Sequence, residues 1–421
     1  MRGAAVVVVG GSIAGCALAA AAARAGAERV VVLERTRGRL ADRGLGLCVN
    51  DERAAELAAV GALPPGIPAH RLTRRRWVVR EPVAGAGGRL FWEQPFPFHS
   101  YHWGLLWRGL RAATPAAVEY RPGVTVAGVT GGSGGAEVRL GDGTAERYDL
   151  AVGADGYRSV VREALCPGAR PHYAGYVCWR GNLDAGRAEA LGGADPHPDA
   201  VTTVCFPGGS CVIYRIPGPD GPRINWVLYA APPAGGALRY DDPTSFPAGA
   251  LSPELRAHLA ALLEREFPAY WGRALALTDP ADTFVQPIYD LVTATTAGGR
   301  LLLAGDAASV VRPHNTSGAA KALQDAAAFA AAWDRAQSWD DLLADYEAAR
   351  GGAGRDLVAL ARRLGRAQVE RTPPWTRMDP EQLAHWWRDQ LAGAPGIGGQ
   401  AMAPSAPVPA APDGTPPRSG G

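Results

Sequence analysis

Three short stretches of the chain bring together residue types that can hold an anionic nucleotide. The first is Gly10-Gly11-Ser12-Ile13-Ala14-Gly15, which closes a run of four valines, Val6 to Val9, and opens an alanine-rich segment. A strand that turns this tightly into a helix leaves outward-pointing amides at the helix start, here around Ile13 and Ala14, and the helix dipole adds positive potential at the same place. A phosphate is the natural occupant. Gly10 allows the turn, small Ser12 stands where a second glycine usually lets the backbone approach a pyrophosphate, and Gly15 lets helix and sheet pack closely. Glu34, nineteen residues beyond Gly15, ends the next apolar run and is placed to accept hydrogen bonds from an adenosine ribose, with Arg35 directly after it. The block implies dinucleotide binding without saying which dinucleotide. The second stretch, residues 149–162, reads Asp-Leu-Ala-Val-Gly-Ala-Asp-Gly-Tyr-Arg-Ser-Val-Val-Arg, and the third, residues 301–308, reads Leu-Leu-Leu-Ala-Gly-Asp-Ala-Ala. Each sets an aspartate, Asp155 or Asp306, where an apolar run ends. Taken alone, Asp155-Gly156 is an ordinary turn.

Hydrophobic periodicity supplies the elements that must position these residues. Residues 4–9 and 30–34 read as parallel strands joined by a helix over 13–25, one βαβ unit. A helical stretch over 51–60 precedes strand-like runs at 76–80 and 89–93 and a helix over 103–112. Residues 124–129, 136–140 and 149–153 read as a β-meander that ends in the Asp155-Gly156 turn. From 173 to 230, aromatic and aliphatic residues alternate (Tyr176, Trp179, Tyr214, Trp226, Tyr229) between Gly/Pro turns, the pattern of an antiparallel sheet with one packed face. A helix over 253–266, a strand at 300–304 and helices over 318–335 and 341–366 follow. From 395 the chain is Pro, Ala and Gly with almost no bulky side chains, which reads as a disordered tail.

In combination and order, the three stretches resemble the motifs of the single-component FAD-dependent aromatic hydroxylases, the p-hydroxybenzoate hydroxylase-like superfamily, over residues 5 to 365. The resemblance implies FAD as cofactor and NADPH or NADH as co-substrate. By position it implies that Asp306 hydrogen-bonds the flavin ribitol, and that Asp155, Gly156, Ser159 and Arg162 serve both FAD and the reduced nicotinamide. Arg43, in Arg43-Gly44-Leu45-Gly46, and Arg108, in Trp103-Gly104-Leu105-Leu106-Trp107-Arg108, resemble flavin-contacting arginines; surface charge is the competing reading. After Asp306 the sequence departs from the commonest family pattern of a histidine, a proline-rich turn and a glycine pair. It reads Ser309-Val310-Val311-Arg312-Pro313-His314-Asn315-Thr316-Ser317-Gly318-Ala319-Ala320-Lys321, which resembles the 2,6-dihydroxypyridine 3-monooxygenase subgroup, as does Tyr173-Ala174-Gly175-Tyr176-Val177-Cys178-Trp179-Arg180-Gly181. The implied fold class is α/β, with a Rossmann-like FAD-binding domain in three pieces (1–75, 103–165, 281–345), an inserted antiparallel-sheet substrate domain (76–102, 166–280) and a C-terminal helical segment (346–394).

The implied activity is hydroxylation of an electron-rich aromatic or heteroaromatic molecule, hydroxypyridine- or phenol-like. Reduced nicotinamide would pass hydride to FAD, O₂ would add at the flavin 4a carbon, and the hydroperoxide would attack a nucleophilic ring carbon. Pro313 would pack flat against the isoalloxazine, and Gly318 and Ala319 would bring helix-start amides to its pyrimidine end, where donors stabilise the anionic reduced ring. Lys321 either adds positive charge there or is a solvated helix lysine. Activating the substrate means removing a ring hydroxyl proton. His314, beside Pro313, is the candidate base, and a histidine satisfied by loop backbone is the alternative. Arg180, Tyr214 and Trp226 either line the substrate cavity or pack within the sheet. No second Gly-rich strand–helix unit for a nicotinamide is visible, and the tryptophan signature of flavin halogenases is missing. Hydroxylation therefore leads; epoxidation, an FAD oxidase or dehydrogenase, and a non-catalytic ligand-escort flavoprotein are the alternatives.

Bulk properties narrow the partners. The chain's 421 residues exceed one ordinary core, and 43 basic against 41 acidic residues leave no basic footprint for nucleic acid. Small molecules, the aromatic substrate and O₂, are the expected partners, in a monomer or homodimer. Lys321 is the only lysine. The six cysteines have no metal-site spacing and read as buried reduced thiols, with Cys205 and Cys211 as cross-strand neighbours about a Pro207-Gly208-Gly209 turn. The apolar N-terminus is interrupted by Gly10-Gly11-Ser12, unlike a signal peptide or membrane span, so no membrane association is expected and the cytoplasm is the expected compartment.

Overall fold

The computed structural model describes residues 3–38, 45–192, 197–233 and 249–394. Arg43 and the stretch from 395 onward lie outside the described residues. The valine run becomes β1 (Ala5–Val9), paired in parallel with β2 (Arg29–Glu34) on one side and β10 (Leu150–Gly153) on the other. Beyond β2 lies β6 (Glu119–Pro122); beyond β10 lie parallel β17 (Leu301–Leu303) and then antiparallel β16 (Ala297–Gly298). Both faces of β1 are covered, which is why its sequence is continuously apolar instead of alternating. Val6 and Val8 pack against α1 (Ile13–Arg24), α3 (Trp103–Ala112) and α8 (Gly318–Arg335). Val7 and Val9 pack against a small antiparallel sheet of β7 (Val126–Gly132), β8 (Gly135–Leu140) and β9 (Ala145–Tyr148), backed by α4 (Val160–Leu165).

The expected meander is therefore corrected in its last strand. Ala145–Tyr148 completes it, whereas Leu150–Gly153 is a central parallel strand, buried at all four positions. The register has a functional consequence. Val9 is level with Gly153, and Gly153 with Leu303, so the Gly10, Asp155 and Asp306 turns leave the same carboxyl edge of the sheet side by side. Crevices at this edge are where open α/β sheets bind ligands.

The second sheet has nine strands in the order β18 (Ser309–Val310), β15 (Phe284–Val292), β11 (His172–Asp184), β14 (Arg223–Ala230), β13 (Gly209–Ile216), β12 (Ala200–Phe206), β4 (His70–Val79), β5 (Arg89–His102) and β3 (Gly46–Asn50). Every neighbouring pair is antiparallel except β12 with β4. The strand β3 and the first part of β4, His70 to Arg75, fall inside the 1–75 segment that the sequence groups with the nucleotide-binding unit, yet they belong to this sheet; α2 (Asp51–Ala59) follows β3 directly. One face of the sheet packs on α5 (Ala185–Glu189), α6 (Pro253–Glu266) and α7 (Ala269–Ala276) through Trp179, Ile213 and Trp226. The opposite face is covered by α9 (Trp339–Gly365), a π-helical turn (Arg366–Glu370) and α10 (Pro380–Leu391). All six cysteines are free and buried, and Cys205 and Cys211 point to opposite faces, because Cys205 pairs with Ser210 and Cys211 with Val204.

Candidate functional site

Gly10 adopts φ +99°, and a Cβ there would sit 2.4 Å from the Ala154 carbonyl oxygen; a Cβ on Gly15 would sit 1.8 Å from the Gly10 carbonyl oxygen. Glycine is the only residue that permits either approach. The turn is braced from three sides. The Gly11 amide donates to Glu34 Oε2 at 2.8 Å, and the Gly11 carbonyl accepts from Trp107 Nε1 at 2.8 Å and Tyr120 Oη at 3.1 Å. Glu34 also accepts from the Thr36 amide at 2.8 Å, so this acid shapes the turn whatever else it binds. Ser12 stands at the N-cap of α1 without a side-chain cap bond, and the first turn holds no acid. Amides around Ile13 and Ala14 thus stay available to an outside anion. Arg35 is exposed beside the turn.

Lys321 and its neighbours build the third turn. Its ammonium, 2% exposed, donates to the Gly305 carbonyl and faces Asp325 Oδ2 at 3.4 Å. Asp325 in turn accepts from the Gly305 amide at 2.7 Å and from Arg350 Nε at 2.6 Å. Gly305 is clamped at both its amide and its carbonyl, so Lys321 is a buried residue that holds Gly305-Asp306 in place and not a solvated helix lysine. Asp306 itself is open to solvent, although the surrounding protein desolvates its carboxyl and raises its pKa, partly offset by Lys321.

Arg162 joins the second turn to the third. Its buried guanidinium donates to the carbonyls of Gly156 (3.4 Å), Asp306 (3.4 Å) and Ala307 (3.2 Å), and also to that of Tyr157. Asp155 Oδ2 accepts from the Val160 amide at 2.7 Å, while Oδ1 is buried without a partner; burial raises this carboxyl too. Nothing lies within 4 Å of a Cβ built on Gly156 or Gly318. The N-cap of α8, Ser317, makes no capping bond with its side chain, and its first turn has no acid. Gly318 is exposed and Ala319 half-buried at that open helix start, with Pro313 half-buried on the preceding turn. An uncapped α8, an uncapped α1 and an orphaned buried carboxylate oxygen form a donor and acceptor set that fits an extended dinucleotide.

On the face of the nine-stranded sheet opposite α6 and α7, His314 is buried, with Nε2 2.8 Å from Tyr176 Oη and its ring 4.1 Å from that of Tyr229. Burial, with Arg312 and Arg75 adding to it, pushes its pKa down to about 3. Its partner is the Tyr176 side chain and not the loop backbone, and burial favours its neutral ring. Trp226 faces α6 and α7, donating from Nε1 to Thr278 Oγ1 at 2.9 Å, and is not on the His314 face. Strand alternation places Tyr214 and Arg180 on that face instead. Arg180 Nη2 reaches the Gly46 carbonyl at 3.5 Å, and Asn225 Oδ1 accepts from the Gly46 amide at 2.7 Å, so β3 curls back over β11 and β14. Asn225, which sequence reasoning missed, is fully buried with Nδ2 unpartnered. Arg108 is exposed on α3. A cavity of about 180 Å³ joins Cys48, Asn50 and Phe98 to Thr316, Ser317 and Ala320 at the start of α8. A hollow of about 220 Å³ between α1, α3 and α8, lined by Ala17, Ala21, Leu110 and Ala326, touches none of the three turns. Among the described residues no helix is long and apolar enough to cross a membrane.

Comparison with known proteins agrees with this geometry. The FAD binding domain family matches residues 261–361. A 2,6-dihydroxypyridine 3-monooxygenase from Paenarthrobacter nicotinovorans is 30% identical over 357 residues, 80% of this chain and 86% of that protein. The 3-amino-4-hydroxybenzoate 2-monooxygenase PtmB3 of Streptomyces platensis is 28% identical over 339 residues, 76% of this chain and 77% of that protein. Among solved structures, 2,6-dihydroxypyridine-3-hydroxylase from Arthrobacter nicotinovorans superposes with a TM-score of 0.75 at 24% identity, covering 97% of this chain and 99% of that one. A salicylate hydroxylase substrate complex gives 0.72 at 21% identity, covering 92% and 94%. Motifs, fold and relatives converge, and the chain belongs to the FAD-dependent aromatic hydroxylase family, an enzyme of the flavoprotein monooxygenase kind.

Proposed function

We propose that the chain hydroxylates a small electron-rich aromatic or heteroaromatic compound, hydroxypyridine- or phenol-like, using NADH or NADPH and O₂. The observation that carries this reading is the alignment of the Gly10, Asp155 and Asp306 turns on one sheet edge, opposite an uncapped α8 and the buried aromatic face of the second sheet. Bound FAD supplies the oxygen-activating redox chemistry. Residues around Gly10–Gly15 and Glu34 would hold its adenosine and pyrophosphate, and Asp306 would accept hydrogen bonds from its ribitol. Gly318 and Ala319 would offer backbone amides to its ring, and Pro313 would pack against it. Asp155 with Gly156 completes the cradle, and Arg162 and Lys321 keep two of its turns in register. The nine-stranded sheet supplies the substrate side, where Arg180 and Tyr214 face the ligand and Tyr176 with His314 provides a neutral hydrogen-bonding wall. Apolar covering by α9 and α10 keeps water from the reacting centre. The proposed compartment is the cytoplasm.

The test is substrate-stimulated NAD(P)H oxidation across small hydroxypyridines and phenols, with ¹⁸O₂ supplied. Incorporation of one ¹⁸O into the product supports hydroxylation. Stimulated oxidation that yields only H₂O₂ for every compound would replace it with an oxidase.

A further inference from the structure

The segment between β18 and α8 carries backbone strain. Thr316 sits at φ +55°, in the left-handed region that a β-branched residue holds only where its surroundings over-determine it. Two side chains fasten the segment. Asn315, fully buried, donates from Nδ2 to the Leu357 carbonyl of α9 at 3.1 Å and accepts from the Ser317 amide at 3.4 Å. Arg312, 6% exposed, is held from three elements. Its Nε donates to Asp290 Oδ2 of β15 at 2.8 Å, its Nη1 donates to Glu370 Oε1 of the π-helical turn at 2.9 Å, and its guanidinium lies 5.6 Å over the Tyr176 ring of β11. Asp290 is itself fully buried, and its other oxygen accepts from Arg362 Nε of α9 at 2.9 Å. The end of α9 closes tightly on the same group: a Cβ on Gly365 would sit 2.4 Å from Tyr176 Oη and 3.2 Å from both Arg312 Nη1 and His314 Cδ2. Buried ion pairs add little net stability over apolar packing, whereas charge-assisted bonds have strict geometry. Arg312 is followed directly by Pro313, and α8 opens at Gly318 six residues later.

We infer that Asp290 is a positioning residue for the reaction: through Arg312 it fixes where Pro313 stands and how the open start of α8 is presented to the cofactor. The inference rests on the reading above in which Pro313, Gly318 and Ala319 serve the flavin ring. Donors and the dipole at a helix start favour the anionic reduced ring over the neutral oxidised one. A displaced segment therefore weakens the binding of reduced FAD more than that of oxidised FAD. This difference is read as the midpoint potential of the bound flavin, which a loss of folding stability alone does not move.

The experiment uses the FAD-loaded full chain. Equilibration with a reference dye gives the midpoint potential of the flavin, and thermal melting gives the stability. Asp290→Asn keeps the side-chain shape and drops the charge that orients Arg312, which retains Glu370. It lowers the affinity for reduced relative to oxidised FAD at least about tenfold, a fall of about 30 mV for a two-electron couple. Arg362→Gln removes the α9 partner of the same carboxylate but leaves Arg312 paired with it; it lowers the melting temperature and keeps the wild-type potential. Arg312→Lys places a point charge where a fork spanned two carboxylates, and it shifts the potential in the same direction as Asp290→Asn. A wild-type potential in Asp290→Asn overturns the inference even if that protein melts earlier, since Asp290 is then only a buried ion partner. So does an equal shift in Arg362→Gln. Where Asp290→Asn does not fold, Arg312→Lys decides in its place, and a wild-type potential there is the overturning result. If the wild type takes up no FAD, the cofactor reading itself falls and takes the inference with it; if FAD binds and only the shift is missing, that reading stands.

Discussion

Replacing Lys321 with Met removes the ammonium while keeping most of the side-chain volume. It deletes a charge-assisted hydrogen bond to the Gly305 carbonyl and one cation facing Asp325. Removing one partner of a buried ion pair costs about 3–5 kcal/mol when the other is stranded. Here Asp325 keeps Arg350 at 2.6 Å and the Gly305 amide at 2.7 Å, so it is not stranded. The loss should therefore be nearer the worth of the charge-assisted bond, about 2–3 kcal/mol. That corresponds to a fall of roughly 30- to 150-fold in the folded-to-unfolded ratio, at 1.4 kcal/mol per tenfold. The turn that presents Asp306 also loses its carbonyl anchor, so FAD affinity should drop by more than the stability change alone explains. Urea unfolding of the flavin-free protein measures the first effect, and a fluorescence titration with FAD, under conditions where both proteins are fully folded, measures the second. An FAD dissociation constant equal to wild type would refute the assignment of Lys321 as the clamp on this turn. Arg in its place should fare no better, because its larger head must enter a site that is 2% exposed.

Asp306→Ala should leave the protein folded and empty of FAD, read by the loss of flavin absorbance at unchanged far-UV circular dichroism; full flavin occupancy would remove Asp306 from the ribitol contact. His314 titrates near 6.5 when unfolded and near 3 when folded, so between those values the unfolded chain binds more protons and stability rises with pH. His314→Gln should flatten that dependence between pH 3 and 6.5 in chemical-denaturation midpoints, and an equal slope in both proteins would show that the ring is not held neutral. Trp226→Phe should lower stability by about 1 kcal/mol through the lost hydrogen bond to Thr278 and leave KM unchanged, whereas a large change in KM alone would return Trp226 to the substrate face.

Local signals were legible wherever a residue's own neighbourhood decides its conformation. The Gly10 turn, α1 and the end of β2 are specified within thirty residues by valine runs, glycines and one acid, and the aromatic alternation of β11 to β14 marks an antiparallel sheet. What stayed hidden depends on partners far along the chain. A four-residue apolar run such as Leu150–Gly153 reads the same in a meander as in a parallel sheet, and only pairing with Val6–Val9 distinguishes them. Period-two patterning tells which side chains share a face but not which face meets helices, so it could not show that Trp226 packs on the helices while Tyr214 lies on the other face. Glu119–Pro122 is too polar to read as a strand, yet it forms a sheet edge. Asn225 carried no signal of its own, being an ordinary polar residue among aromatics. The single lysine did stand out, but composition could not say that its target is a backbone carbonyl sixteen residues earlier.

The central claim is that turns contributed by residues 10–15, 155–156 and 305–306 together cradle one FAD. Equilibrium titration of the flavin-free wild-type chain with FAD tests it most directly. The wild-type chain should bind one FAD, and Arg162→Met, which unties two of those turns, should bind it at least about tenfold more weakly, the scale of one lost charge-assisted hydrogen bond. A wild-type chain that takes up no FAD, or an Arg162→Met chain that binds it as tightly, would contradict it.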